Sequence, residues 1–89
     1  MIWKVEVDER ARRELRKLDQ GVQQRILEFL RSRITTKEDP RRIGQALTGR
    51  LTGLWRYRVG EWRLVCRIED AQVVVLLLRI GHRREVYRQ

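Results

Sequence analysis

The sequence has one cysteine, one proline and one histidine in 89 residues, and each scarcity closes off a class of structure or chemistry. Cys66 has no partner, so the chain forms no internal disulfide and no cysteine-based metal site. One histidine beside one cysteine makes no zinc site, and the acidic residues form no tight cluster of the kind a divalent cation needs. Ser32 is the only serine and stands in no nucleophile-elbow context. A glycine-rich phosphate loop is missing as well. The longest apolar run, Val73 to Leu78, is too short to cross a bilayer, and Met1-Ile2-Trp3-Lys4 lacks the basic-then-apolar order of a signal peptide. These absences predict a soluble cytoplasmic protein that works without membrane, metal or cofactor.

Lysine is scarce too, confined to Lys4, Lys17 and Lys37, so arginine supplies most of the 21 basic residues. They outnumber 12 acidic residues and give a net charge of +9. A guanidinium presents a planar fork that matches two phosphate oxygens at once, which an ammonium cannot do. The bias points to a polyanionic partner such as nucleic acid, or to an acidic protein. Hydrophobic residues make up 42% of the chain, enough for a core and too many for disorder. The length suits one domain over residues 1–89.

From Ile2 to Val7 the chain alternates, with Trp3, Val5 and Val7 on one side and Lys4 and Glu6 on the other, which predicts a strand with one buried face. Asp8 occupies an N-cap position ahead of Ala11, Leu15 and Leu18 at helical spacing. A second helix beginning near Asp19 carries Val22, Ile26, Phe29 and Leu30 as an apolar stripe, and the short link predicts an antiparallel helical hairpin. Periodicity lapses between Thr35 and Gly53. There Asp39-Pro40 signals a turn or a single helical turn, and Ile43, Leu47 and Leu51 anchor an ordered loop. Three strands follow, over 54–59, 62–69 and 72–80, joined by Gly60-Glu61 and Asp70-Ala71 as two-residue turns. The unalternating run from Val73 to Leu78 belongs in an interior strand. The order β-α-α-β-β-β predicts an α+β fold: an antiparallel sheet with a two-helix hairpin packed on one face and a short C-terminal tail.

A two-residue turn at Gly60-Glu61 pairs Val59 with Trp62, Arg58 with Arg63, and Arg56 with Val65. Alternation then projects Arg56, Arg58 and Arg63 from one face and turns Trp55, Tyr57, Trp62 and Leu64 toward the helices. At a separation of about 7 Å, two like charges repel by about 0.6 kcal/mol in water and about 2.4 kcal/mol at an effective dielectric of 20. Arginines gathered on one face are therefore a liability unless an anion sits there. His82, Arg83, Arg84 and Tyr87 follow the end of the last strand, where they reach the rim of the same face. Beside that cluster His82 is a candidate proton donor.

The stretch from Leu54 to Arg63, LWRYRVGEWR, and the stretch from Arg79 to Tyr87, RIGHRREVY, together resemble the RelE-type toxins of toxin–antitoxin systems. The LTGRLTG segment from Leu47 to Gly53 and the β-α-α opening extend the resemblance over essentially the whole chain. It implies an endoribonuclease that cleaves mRNA in the ribosomal A site without metal. In such enzymes the ribose 2′-hydroxyl attacks the adjacent phosphate, leaving a cyclic phosphate and a 5′-hydroxyl. By the same resemblance the catalytic set is Arg56, Arg58, Arg63, Arg83 and Tyr87, with His82 as a further proton-transfer candidate. Relatives often have lysines where this chain has Arg56 and Arg58. Because guanidinium stays protonated, the site would rely on electrostatics, with His82 or a ribosomal group moving the proton. The implied partners are mRNA, the ribosome and an acidic antitoxin protein whose complex sets the oligomeric state. The rival reading is a ParE-type toxin, which shares the fold but binds DNA gyrase and performs no chemistry. A non-catalytic RNA-binding relative is a third.

Overall fold

The computed structural model describes residues 1–84. Two aspartates start the helices. Asp8, in extended backbone, accepts a hydrogen bond from the Arg10 N–H at 3.2 Å and caps α1, Glu9–Arg16. Asp19 accepts one from the Val22 N–H at 3.0 Å and caps α2, Gln20–Phe29. Each such cap is worth about 1 kcal/mol. A single π-helical turn, Leu30–Ile34, prolongs α2 and buries Leu30 and Ile34. As the Asp39-Pro40 signal suggested, Pro40–Ile43 forms one 3-10 turn, with the Asp39 carboxylate accepting from the Arg41 N–H.

The strands are β1 (Lys4–Val7), β2 (Gln45–Ala46), β3 (Trp55–Val59), β4 (Trp62–Glu69) and β5 (Val74–His82), in the sheet order β1-β5-β4-β3-β2. Ala11 from α1 and Ile26 from α2 pack with Leu30, Ile34, Tyr57, Leu64, Cys66, Val75, Leu77 and Ile80 in one core. The α+β class and the helical hairpin on one face of the sheet match the expectation.

Three details differ from it. First, the sheet is antiparallel from β2 to β5, but β1 joins β5 in parallel, pairing Val5 with Val75 and Val7 with Leu77. Tight turns fix neighbours antiparallel. Only strands separated by a long crossover can run parallel, and β1 is separated from β5 by both helices. Secondly, β2 is a strand of two residues, too short for any period to show. Thirdly, the β4–β5 connection is wider than a two-residue turn. Asp70–Gln72 form a 3-10 turn and Val73 sits in the left-handed region at φ 55, so β5 begins at Val74. Arg41 grips the Asp70 carboxylate at 3.1 and 2.6 Å, tying this turn to the 3-10 turn at Pro40. The expectation of an interior strand holds, since β5 lies between β1 and β4.

Candidate active site

Gly60 supplies a positive φ of 60° at the first position of the β3–β4 turn, which costs a glycine nothing and any other residue about 1–2 kcal/mol. The turn sets the register: Val59 opposite Trp62, Arg58 opposite Arg63, Tyr57 opposite Leu64 and Arg56 opposite Val65. This is the pairing expected from the sequence, and it puts Arg56, Arg58 and Arg63 on one face. On the other face Tyr57 and Leu64 are 1% and 0% exposed. The Tyr57 ring lies 5.9 Å from that of Phe29 on α2, and its hydroxyl donates to the Pro40 carbonyl at 2.7 Å. Burial pushes the Tyr57 phenol well above its ordinary range, helped by Cys66. It is a core hydroxyl that stays protonated.

The three arginines are held differently. Arg58 is exposed. Arg63, directly across from it, is only 8% exposed, and its Nη1 donates to the carbonyls of Gly60 and Trp62 at 3.2 Å each. Arg56 is half-buried. Arg83 joins them past the end of β5: its backbone N–H donates to the Glu61 carbonyl at 2.9 Å, and its Nε stands 2.9 Å from a Glu61 carboxylate oxygen. Glu61 thus links the tail to the β3–β4 turn. Sequence reasoning passed it over as a turn residue, because its nearness to Arg83 depends on the β4–β5 register.

His82 is not where the sequence suggested. It pairs with Trp62 across β4 and β5, with the two rings edge-on at 5.7 Å. That puts it on the face of Trp62 and Leu64, while the residue opposite Arg63 is Gly81. A bulge causes this: Val65 pairs with Arg79 but Cys66 pairs with Leu77, so Leu78 is the extra residue and the alternation of β5 shifts by one. Arg84 is exposed beyond it, its N–H directed at His82 Nδ1 at 3.5 Å. Tyr87 lies outside the described residues.

One other group is set apart from this chemistry. Cys66 is fully buried and burial pushes its thiol far up, so no thiolate nucleophile is available. Among the described residues, no three His, Cys, Asp or Glu side chains converge as a metal site would require, and no helix is long and apolar enough to cross a membrane. What the face can do chemically is hold an anion and stabilise negative charge that builds up on it.

The helical hairpin, the mixed sheet and the basic face together define a small α+β domain with a cationic sheet face, and comparison with known proteins gives its family. Residues 5–87 match the family described as ParE toxin of type II toxin-antitoxin system, parDE. Toxin RelG of Mycobacterium tuberculosis is 35% identical over 79 residues, covering 89% of this chain and 88% of that protein. Among solved structures, the RelBE2 toxin-antitoxin complex of the same organism contains a chain that superposes with a TM-score of 0.85 at 32% identity, covering 96% of this chain and 95% of that one. The archaeal RelE–RelB complex from Pyrococcus horikoshii matches with a TM-score of 0.71 at 26% identity, covering 97% of this chain and 100% of that one. The chain belongs to the RelE/ParE family of toxins of type II toxin–antitoxin systems.

Proposed function

We propose that this toxin is an endoribonuclease acting on mRNA in the ribosomal A site, and that its arginine face is the catalytic surface. The observation that carries the reading is the register that sets Arg58 opposite Arg63 with Arg56 on the same face. In the reaction the 2′-oxygen bonds to phosphorus and the bond from phosphorus to the 5′-oxygen breaks, giving a cyclic phosphate and a 5′-hydroxyl. The phosphorane between these states carries an extra negative charge. Arginines fixed before the substrate arrives stabilise it without reorganising, the largest single source of catalysis in many enzymes. They also supply the positive charge that a metal ion supplies elsewhere, so the reaction is metal-independent. Arg83 completes the set, and Tyr87 stacks on the reacting nucleotide. A guanidinium stays protonated, and His82 lies on the opposite face with Trp62, so the ribosome is the better source of the group that takes the 2′-hydroxyl proton.

The partner that holds the toxin inactive in the cytoplasm is an acidic antitoxin, drawn to a chain of net charge +9 by long-range attraction. Two of the similar structures are of a toxin bound to its antitoxin. The rival reading, a gyrase inhibitor, has its support in the ParE description of the matching family. Purified toxin tested on mRNA in programmed ribosomes and on gyrase-driven supercoiling separates the two. Cleavage with undisturbed supercoiling supports the nuclease, and inhibited supercoiling without cleavage overturns it.

A further inference from the structure

A second basic feature lies around the edge of the sheet from the arginine face. Because β2 pairs only with Trp55 and Arg56, the outer edge of β3 from Tyr57 to Val59 is left open. Between that edge and the π-helical turn after α2 is a cleft of about 570 Å³. Arg33, Arg56 and Arg58 line it, with Phe29 and Ile43 as apolar wall. Among the described residues no carboxylate lines it. Ion pairs elsewhere on the surface make this informative: Arg10, Arg13, Arg31, Arg42, Arg67 and Arg79 each stand beside a glutamate. Arg33 and Arg58 have no such partner among the described residues. The cleft continues past Phe29 and Arg33 into a second depression along α2 that includes Arg25, whose guanidinium lies over the β3–β4 turn, its Nη2 2.6 Å from where a Cβ on Gly60 would stand. Glu28, the acidic residue in this second depression, is paired with Arg31.

We infer that this cleft is a binding site for the single-stranded RNA that flanks the cleaved bond, with Arg33 contacting a backbone phosphate one or two nucleotides away. The inference rests on the nuclease reading. The guanidiniums of Arg33 and Arg58 beside an apolar wall suit a nucleotide, whose phosphate takes the cations and whose base takes the apolar surface. Arg58 belongs to both the catalytic face and the cleft, so a strand seated at Arg58 and Arg63 needs only to bend over β3 to reach Arg33. Adjacent strands lie about 4.8 Å apart, less than one nucleotide of extended RNA. A dinucleotide has only the scissile phosphate and leaves none for Arg33, whereas a longer strand brings a flanking phosphate to the cleft.

The test measures binding of non-cleavable RNA, 2′-O-methylated at the scissile position, to wild-type protein, Arg33→Ala and Arg16→Ala at low salt. One RNA is a dinucleotide and the other has about nine nucleotides. Arg16 is an exposed arginine of α1, which packs against β5 on the far side of the sheet. The expected result is that Arg33→Ala weakens the longer RNA about tenfold and lowers its salt slope by about one, leaving the dinucleotide unchanged. Arg16→Ala should change neither. If Arg33→Ala affects both lengths alike, or neither, the flanking site is overturned while the nuclease reading stands. The flanking site is likewise overturned if Arg33→Ala leaves RNA binding intact but weakens binding of an acidic antitoxin, which would make the cleft a protein contact. Wild-type protein that binds neither RNA would also overturn the flanking site, while the nuclease reading stands or falls separately on cleavage of mRNA in programmed ribosomes.

Discussion

Arg58 and Arg63 face each other directly across the β3–β4 hairpin, one exposed and the other folded back onto the carbonyls of its own turn. Two like charges in opposed positions destabilise a hairpin. Here the cost is moderated because the Gly60 and Trp62 carbonyls accept hydrogen bonds from Arg63 and stabilise its charge. On the nuclease reading, an incoming phosphate relieves the repulsion that remains.

Gly60 controls that alignment, so Gly60→Ala should be more harmful than its size suggests. The left-handed backbone and the Arg25 guanidinium both oppose a Cβ there. Chemical denaturation should report a loss of about 1–2 kcal/mol. Cleavage should fall further than the unfolded fraction accounts for, since the opposition of Arg58 and Arg63 is disturbed. A variant as stable and as active as wild type would mean that the turn does not set the site.

His82→Gln should leave cleavage and its pH profile unchanged. His82 stacks edge-on with Trp62 on the face away from Arg63, so its loss removes an aromatic contact worth about 0.5–1.5 kcal/mol and no proton donor. A pH-rate profile that flattens in the variant would restore His82 to the mechanism.

Stability should decline in alkali. Burial raises the Cys66 thiol and the Tyr57 phenol above their ordinary values, so both stay protonated in the fold at pH values where the unfolded chain loses those protons. The contribution is fully present below the unfolded pKa, about 8.5 for the thiol and about 10 for the phenol, and is lost as pH rises beyond each. Urea midpoints should hold near neutrality and fall from about pH 8.5. Cys66→Ala should lower stability overall and abolish the earlier part of the fall. Native protein should resist thiol reagents until it unfolds. Rapid labelling of the folded protein would contradict this burial.

The Arg41–Asp70 pair predicts a loss at the acid end. Its hydrogen bonds and charge hold the Asp70 carboxyl below its ordinary value. The stabilisation is therefore present above about pH 4 and is lost as pH falls through the lower folded value. The pair is exposed, so the effect is small and screened by salt. Comparing acid denaturation of wild type and Asp70→Asn checks it: the variant should show a shallower acid limb, and identical limbs would mean that the pair contributes nothing to acid stability.

The parts of this molecule that were legible in the sequence are those set by local rules. Asp8 and Asp19 announce their helices, and Gly60-Glu61 fixes a hairpin whose register follows residue by residue, which is why Arg56, Arg58 and Arg63 could be placed on one face in advance. The parts that were not legible depend on contacts distant in sequence or on a single irregular residue. The direction of β1 is decided by where the helical hairpin returns the chain. The extra residue Leu78 reverses which side His82 occupies, and no pattern in the run from Val73 to Leu78 marks it. Glu61 became visible as a partner of Arg83 only when β5 was laid against β4.

If a defined arginine face cleaves RNA, and bulk charge does not, position must matter more than charge. The most direct test is the single-turnover rate of mRNA cleavage in programmed ribosomes for wild type, Arg58→Ala and Arg16→Ala, two exposed arginines of equal charge. Arg58→Ala should lose on the order of 10²-fold, as removal of a donor to the transition state does, while Arg16→Ala should stay within about twofold of wild type. Equal losses in the two variants, or no cleavage by the wild-type protein, would contradict an arginine-face nuclease.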